Sequence, residues 1–242
     1  MPEEELHPPQ EIFDDICSKI RRGSDLEIEK QIHDIIISNV SYKNNCKGVD
    51  HQLLGPLVKH EGVCDGISKL AMSLFRSMGI GSTLVYGDLC AGGEIQGKHA
   101  WNLVRINGEW YHLDITSDLT LSDGGFTRYD YFNLTDDEIL RDHKVVHQSD
   151  PCSKTVRNYY CSAGCFVKDI DEFRDIVRQG LRNGADPIIV KLPFGLKPEE
   201  SRSRLVDAAL HLAADHYMCG VRSTSWFNPD QMILFIKITK IC

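Results

Sequence analysis

No run of apolar residues in this 242-residue chain is long enough to span a bilayer. Its first residues, Met1-Pro2-Glu3-Glu4-Glu5, are acidic, with no apolar stretch after them to make a secretory signal. From these two absences we expect no membrane partner and a cytoplasmic setting. Positive charge is also scarce: 27 basic side chains against 35 acidic ones leave a formal net charge of -8. A broad footprint for nucleic acid is therefore not expected. The cysteines, nine in number, cannot all pair with one another. Only Cys161 and Cys165 lie close together, and one Cys-x-x-x-Cys without a matching second pair gives neither a disulfide framework nor a metal site. In a reducing compartment most such thiols are small buried hydrophobes or idle surface groups. We expect no metal and no organic cofactor.

What is present begins with helices. Ile12, Ile16 and Ile20 mark one apolar stripe, and Ile28, Ile32, Ile35, Ile36 and Val40 mark a second. Ser24 with Glu27 three residues later forms a capping box for the second helix. After a loop-like stretch from Asn44 to Gly62, Ile67, Leu70, Ala71, Leu74, Phe75 and Met78 recur at the helical period, so a helix starts at or near Cys64. Gly79 and Gly81 stop it, and residues 83–86 read as a strand. The glycine-containing segment from Gly87 to Gly97 is expected to be a flexible rim. It is no phosphate cradle, because no helix with Lys-Ser/Thr follows it.

Residues 99–106 and 109–115 read as two strands joined by Asn107-Gly108, a strong hairpin signal. With a two-residue turn, Ile106 faces Glu109 and paired residue numbers sum to 215. Trp101 then lies opposite Asp114, and His99 becomes the diagonal neighbour of Asp114 on the same sheet face, within side-chain reach.

Singly, Cys64, His99 and Asp114 each have an ordinary structural explanation as an inert thiol, a packing imidazole and a polar strand end. Together they form a nucleophile, a base and an orienting carboxylate. The free N–H groups and dipole of a helix start favour a thiolate at Cys64, as does an adjacent imidazolium. Such a thiolate attacks an acyl carbonyl while the histidine carries the proton and the aspartate orients the ring. The Cys64 backbone N–H is a ready oxyanion donor. Gln52, His51 and Tyr42 are candidates for a side-chain oxyanion donor, with Gln52 named first. Trp101 shares the triad's face and is a candidate wall of the acyl site. His112 has the same parity and is expected to be a packing or surface residue.

The segments 61–66 (EGVCDG), 97–102 (GKHAWN) and 108–116 (GEWYHLDIT), with His51–Val58 before them and Tyr131–Glu138 and Asp142-His143 after, resemble the ordered motifs of the transglutaminase-like superfamily, especially its bacterial branch. Two positions depart from the family pattern: Ile67 stands where an aromatic is often found, and Ser117 where a Trp often follows Asp-x-Thr. The resemblance covers roughly residues 25–150. It implies an α+β, papain-like core in which N-terminal helices precede a nucleophile helix packed on an antiparallel sheet, with Cys64, His99 and Asp114 as the triad. It further implies acyl transfer at amide bonds of a peptide or protein, as peptidase or transglutaminase. The alternative is a catalytically silent module of the same fold that binds a peptide or protein in the same cleft.

We expect this catalytic domain to span residues 1–150. Residues 151–242 read as a small α+β module in the order β-α-β-α-β-β, with strand character over 158–167, helices opening near Asp169 and Pro198, and two strands around Asn228-Pro229-Asp230. His211 and His216, five apart on a helix, do not share a face as metal ligands would. No oligomeric state follows from the sequence.

Overall fold

The computed structural model describes residues 8–43, 48–122 and 125–241, which form two compact units, Met1–Arg157 and Asn158–Cys242. The boundary falls later than the break expected after residue 150. Cys46 and Cys242 lie outside the described residues.

The first unit opens with α1 (Pro9–Lys19) and α2 (Asp25–Asn39). The capping box of α2 is present, with the Ser24 and Glu27 side chains each accepting the other's backbone N–H. Residues 48–62, expected as loop, hold a 3-10 turn (Gly48–His51), a π turn (Gly55–Lys59) and β2 (Glu61–Gly62), which pairs with β1 (Ser41–Tyr42). Helix α3 (Cys64–Ser77) then starts at the cysteine itself, and its apolar stripe of Ile67, Leu70, Ala71, Leu74 and Phe75 is buried. Each of the larger side chains among them contributes roughly 1.5–3 kcal/mol by leaving water.

The sheet is antiparallel with the order β6-β5-β4-β3-β7, comprising β3 (Ser82–Ala91), β4 (Glu94–Ile106), β5 (Glu109–Leu113), β6 (Phe132–Leu134) and β7 (His143–His147). Asn107 and Gly108 both take positive φ, 50° and 89°. This is the backbone of a two-residue turn whose twist matches the strands it joins. The pairing runs from Ile106↔Glu109 to Asn102↔Leu113, so every pair sums to 215 as expected. Helix α3 is fastened to β4 by Ser68 and Asn102: the Ser68 hydroxyl donates to the Ala100 carbonyl at 3.0 Å, and the Asn102 amide donates to the Ser68 carbonyl at 3.0 Å.

Two expectations are corrected here. Residues 87–97 are not a loose rim: β3 and β4 continue through them, paired from Gly87↔His99 to Ala91↔Glu94, and reverse at Gly92-Gly93. The extension is mostly exposed and polar, so backbone pairing holds it without an apolar signature. The second hairpin strand ends at Leu113 rather than Ile115, because Asp114 caps a helix, α4 (Ile115–Leu121), by accepting the Thr116 and Ser117 backbone N–H groups at 3.0 and 3.1 Å. On α4, Asp118 meets the buried His33 of α2 at 3.1 Å, and burial pushes its carboxyl up to about 7 against that bond. The short helix α5 (Asp136–Ile139) completes the unit with a second capping box, Thr135 and Glu138.

The second unit contains α6 (Tyr159–Ser162), α7 (Ile170–Asn183), β8 (Ile188–Lys191), α8 (Pro198–Tyr217), β9 (Gly220–Asn228) and β10 (Ile233–Ile241). Its sheet order is β8-β10-β9, antiparallel, and its core joins Phe173, Val177 and Leu181 of α7 to Val190, Leu234 and Ile236 of the sheet. The expected first strand over 158–167 is instead the short helix α6 followed by one lone bridge, Phe166 to Lys191. Asn158 caps that helix by accepting the Cys161 N–H, and this local bond outweighs the strand propensity of Tyr159 and Tyr160. No described helix is long and apolar enough to cross a membrane.

Candidate active site

The three elements expected to carry the chemistry converge in the first unit. Cys64 is the first residue of α3 and is half-buried. The first turn of its helix lies close against the 3-10 turn at Gly66, since a Cβ there would collide with the Asp50 carbonyl. His99 sits inside β4, buried, with Nε2 2.7 Å from Asp114 Oδ2. The Cys64 thiol neighbours the same imidazole and favours its charged form. Since Nε2 is taken by Asp114, Nδ1 is the nitrogen left for the thiol.

Asp114 is fully buried and its carboxylate accepts five hydrogen bonds. Its Oδ1 accepts the two backbone N–H groups at the start of α4. Its Oδ2 accepts from His99 Nε2, from the Ser117 hydroxyl, and from His143 Nε2 at 3.1 Å. Burial alone would push its carboxyl up, but the His99 charge and the hydrogen bonds from His143 and His99 hold it well below the usual carboxylate range. Burial would likewise push His99 down; the charge and hydrogen bond of Asp114, with the Cys64 contact, instead lift it to about 10.

Trp101 does not wall an open acyl site. It is fully buried, stacked on His99 with ring centroids 5.9 Å apart, and its indole N–H donates to His112 Nδ1 at 2.9 Å. Because Nδ1 is an acceptor there, His112 Nε2 carries the proton and donates to Asp136 at 2.9 Å. His112 is thus a buried packing residue that orients the indole.

Gln52 is exposed at the end of the 3-10 turn; its carbonyl lies against Gly66, and no described contact ties its side-chain amide to Cys64. His51 comes nearer, with Nδ1 3.9 Å from the carboxylate of Asp65, the residue after the cysteine. Asp65 also pairs with Lys69 at 2.9 Å and accepts from the Tyr86 hydroxyl at 3.4 Å, which makes a polar rim beside the thiol. The sequence reading assigned no role to Ser117 or His143. Ser117 was visible only as a departure from the family pattern, and His143 only as the end of a distant segment.

Two groups bring three ligand-type atoms together among the described residues: His99, Asp114 and His143, and His112, Asp136 and Cys152. The hydrogen bonds just given occupy the imidazoles and carboxylates of both. A cleft of about 750 Å³ lined by residues 37–42, 119, 120, 122 and 125–127 includes none of Cys64, His99 or Asp114. Chemistry rather than volume marks the site.

A family model for the transglutaminase-like superfamily matches residues 14–115. Over that stretch the first unit is similar to this superfamily. The match spans Cys64, His99 and Asp114, and the α+β architecture of helices on an antiparallel sheet agrees with it. No curated protein matches the chain. Among solved structures, a TGase is 16% identical, over 45% of this chain and 31% of its own, with a TM-score of 0.40. A candidate cysteine protease from Cytophaga hutchinsonii is 18% identical over 47% of this chain and 39% of its own, at 0.38. A candidate protease from Parabacteroides distasonis is 15% identical over 46% and 23%, at 0.30. The matched part of this chain thus spans well under half the length of each.

Proposed function

We propose that this transglutaminase-like chain is a cysteine-nucleophile acyl-transfer enzyme acting on amide bonds of peptides or proteins, with Cys64, His99 and Asp114 as its triad. The observation that carries the reading is the buried 2.7 Å bond from His99 to Asp114, on an imidazole that neighbours a thiol at a helix start. A merely structural histidine needs no half-exposed sulfur beside it.

In the reaction, the Cys64 proton rests on His99 and the thiolate sulfur attacks the amide carbonyl. The oxyanion faces the Cys64 backbone N–H, which has no intrahelical acceptor at the first position of α3. His99 delivers its proton to the leaving nitrogen as the C–N bond breaks, leaving a thioester on Cys64 and a free amine. Water or a second amine then attacks the thioester, giving up a proton to His99. The sulfur departs as thiolate while His99 keeps that proton, which restores the starting ion pair. Asp114 keeps one nitrogen of the ring aimed at the sulfur and stabilises the imidazolium at each stage. Oxyanion stabilisation and ring positioning each contribute a few kcal/mol in such sites.

The test is mass spectrometry of a peptide library incubated with the full chain, with and without an added primary amine. Cleaved peptides indicate hydrolysis and amine-tagged peptides transamidation, and either must vanish in Cys64→Ala. A library unchanged under all conditions, with peptides retained on the protein, favours the silent binding module instead.

A further inference from the structure

His143 has no part in the three-residue mechanism, yet it is fully buried against it. It opens β7, where pairing with Leu89 brings it beneath the end of the hairpin. Its Nε2 lies 3.1 Å from Asp114 Oδ2 and its Nδ1 2.7 Å from Asp142 Oδ1, with no side-chain exposure. An ionised carboxylate only accepts hydrogen bonds. With both carboxylates ionised, both nitrogens of His143 carry hydrogen, which makes the ring an imidazolium.

We propose that His143 is a positioning residue: a second imidazolium that shares the Asp114 carboxylate with His99 and so keeps the His99 proton transferable. The charged and titratable groups around it support this assignment. Asp114 faces it from the hairpin end, and Asp142 from the residue before, its second oxygen accepting the Tyr131 hydroxyl. His99 on β4 lies 5.3 Å away between ring centroids. Trp101 and Tyr131 pack on it edge-on at 5.0 and 5.6 Å without formal charge. His112, further along the same face, is held below its ordinary value by burial and, in lesser part, by the His143 charge. Burial would push His143 down as well, and the bonds to its two carboxylates raise it. The pocket thus holds two carboxylates and two imidazoliums.

Charge sharing has a kinetic purpose. A general acid works best when its proton is neither lost nor held too firmly at the working pH. With Asp114 to itself, His99 would bind its proton more tightly and release it to the leaving nitrogen more slowly. The catalytic consequence rests on the acyl-transfer reading; the charge of His143 does not.

The experiment is ring-nitrogen NMR of the full chain, following His99 and His143 across pH in the wild type, His143→Gln and His143→Lys. In the wild type, His143 is expected to carry both protons at pH 7. In His143→Gln, removal of a like charge about 5 Å away is expected to move the His99 midpoint up by at least about one pH unit. His143→Lys, which restores a cation, is expected to bring it back. A neutral His143 in the wild type overturns the proposal, and that arm decides the matter if His143→Gln fails to fold. A His99 midpoint that stays or falls in His143→Gln also overturns it, because a purely structural role would loosen Asp114 and weaken its hold on His99. Failure of the acyl-transfer reading would look different: both charges as expected, with Cys64 alkylation indifferent to His99→Ala.

Discussion

Replacing Asp114 by Asn separates the two tasks of that residue. Asn keeps an oxygen for the Thr116 and Ser117 N–H groups, so the cap of α4, worth about 1 kcal/mol, survives. What is lost is the negative charge 2.7 Å from His99 Nε2. With that charge in place the imidazole titrates at about 10, against an ordinary 6.5. Without it, burial is the dominant influence and acts in the opposite direction. The midpoint should therefore fall to 6.5 or below, a drop of at least about three pH units, or roughly 4 kcal/mol in proton affinity. At neutral pH the ring would turn from imidazolium to neutral imidazole and lose its preferred tautomer, with activity falling on the order of 10³–10⁴-fold. The assay is the pH dependence of the His99 ring resonances, read beside turnover. There is also a stability signature. In the wild type the raised His99 contributes stability that is fully present below about 6.5 and fades as pH rises to about 10. Asp114→Asn should lose that stability at pH 6 and differ little from wild type at pH 10. A His99 midpoint that shifts by less than one unit would refute the pairing as the source of the histidine's charge.

Two further predictions concern parts of the same unit. Glu29 is fully buried, with one oxygen accepting from Asn133 and the other unbonded, and burial pushes its carboxyl up to about 8. Its protonated form therefore stabilises the fold below its unfolded value near 4.5, a contribution lost as pH rises through 8. Glu29→Gln should raise the melting temperature at pH 9 and change it little at pH 4; an equal effect at both pH values would contradict the assignment. Gly66→Ala places a methyl against the Asp50 carbonyl, so the first turn of α3 must shift. Overpacking of this kind costs about 1–3 kcal/mol. Denaturant unfolding should show that loss together with slower Cys64 alkylation, whereas unchanged values would mean the turn is not held there.

The parts legible in the sequence were those written in local patterns. The stripe from Ile67 to Phe75 placed a helix start at Cys64, and Asn107-Gly108 set a register that put His99 and Asp114 within reach. The family motifs supplied the α+β architecture. What escaped depended on non-local pairing or on short polar contacts. His143 reaches Asp114 only because β7 joins the far edge of β3, an association no local period announces. Trp101 had the right face but not the right role: parity places a side chain on a face without saying whether that face is open, and here Tyr131, Ile139, His143 and Cys152 pack over it. Ser117 lies in a helix that the strand pattern before it concealed, because Asp114 ends the strand and caps the helix at once. In the second unit, one Asn158 cap turned a β-prone stretch into a helical turn.

The central claim is that Cys64 is a nucleophile activated by His99, and site-resolved iodoacetamide labelling of the full chain at mildly acidic pH tests it most directly. The account predicts that Cys64 is carboxamidomethylated well ahead of the other eight cysteines and that His99→Ala removes this advantage. Cys64 reacting no faster than its fellows, or equally fast without His99, would contradict it.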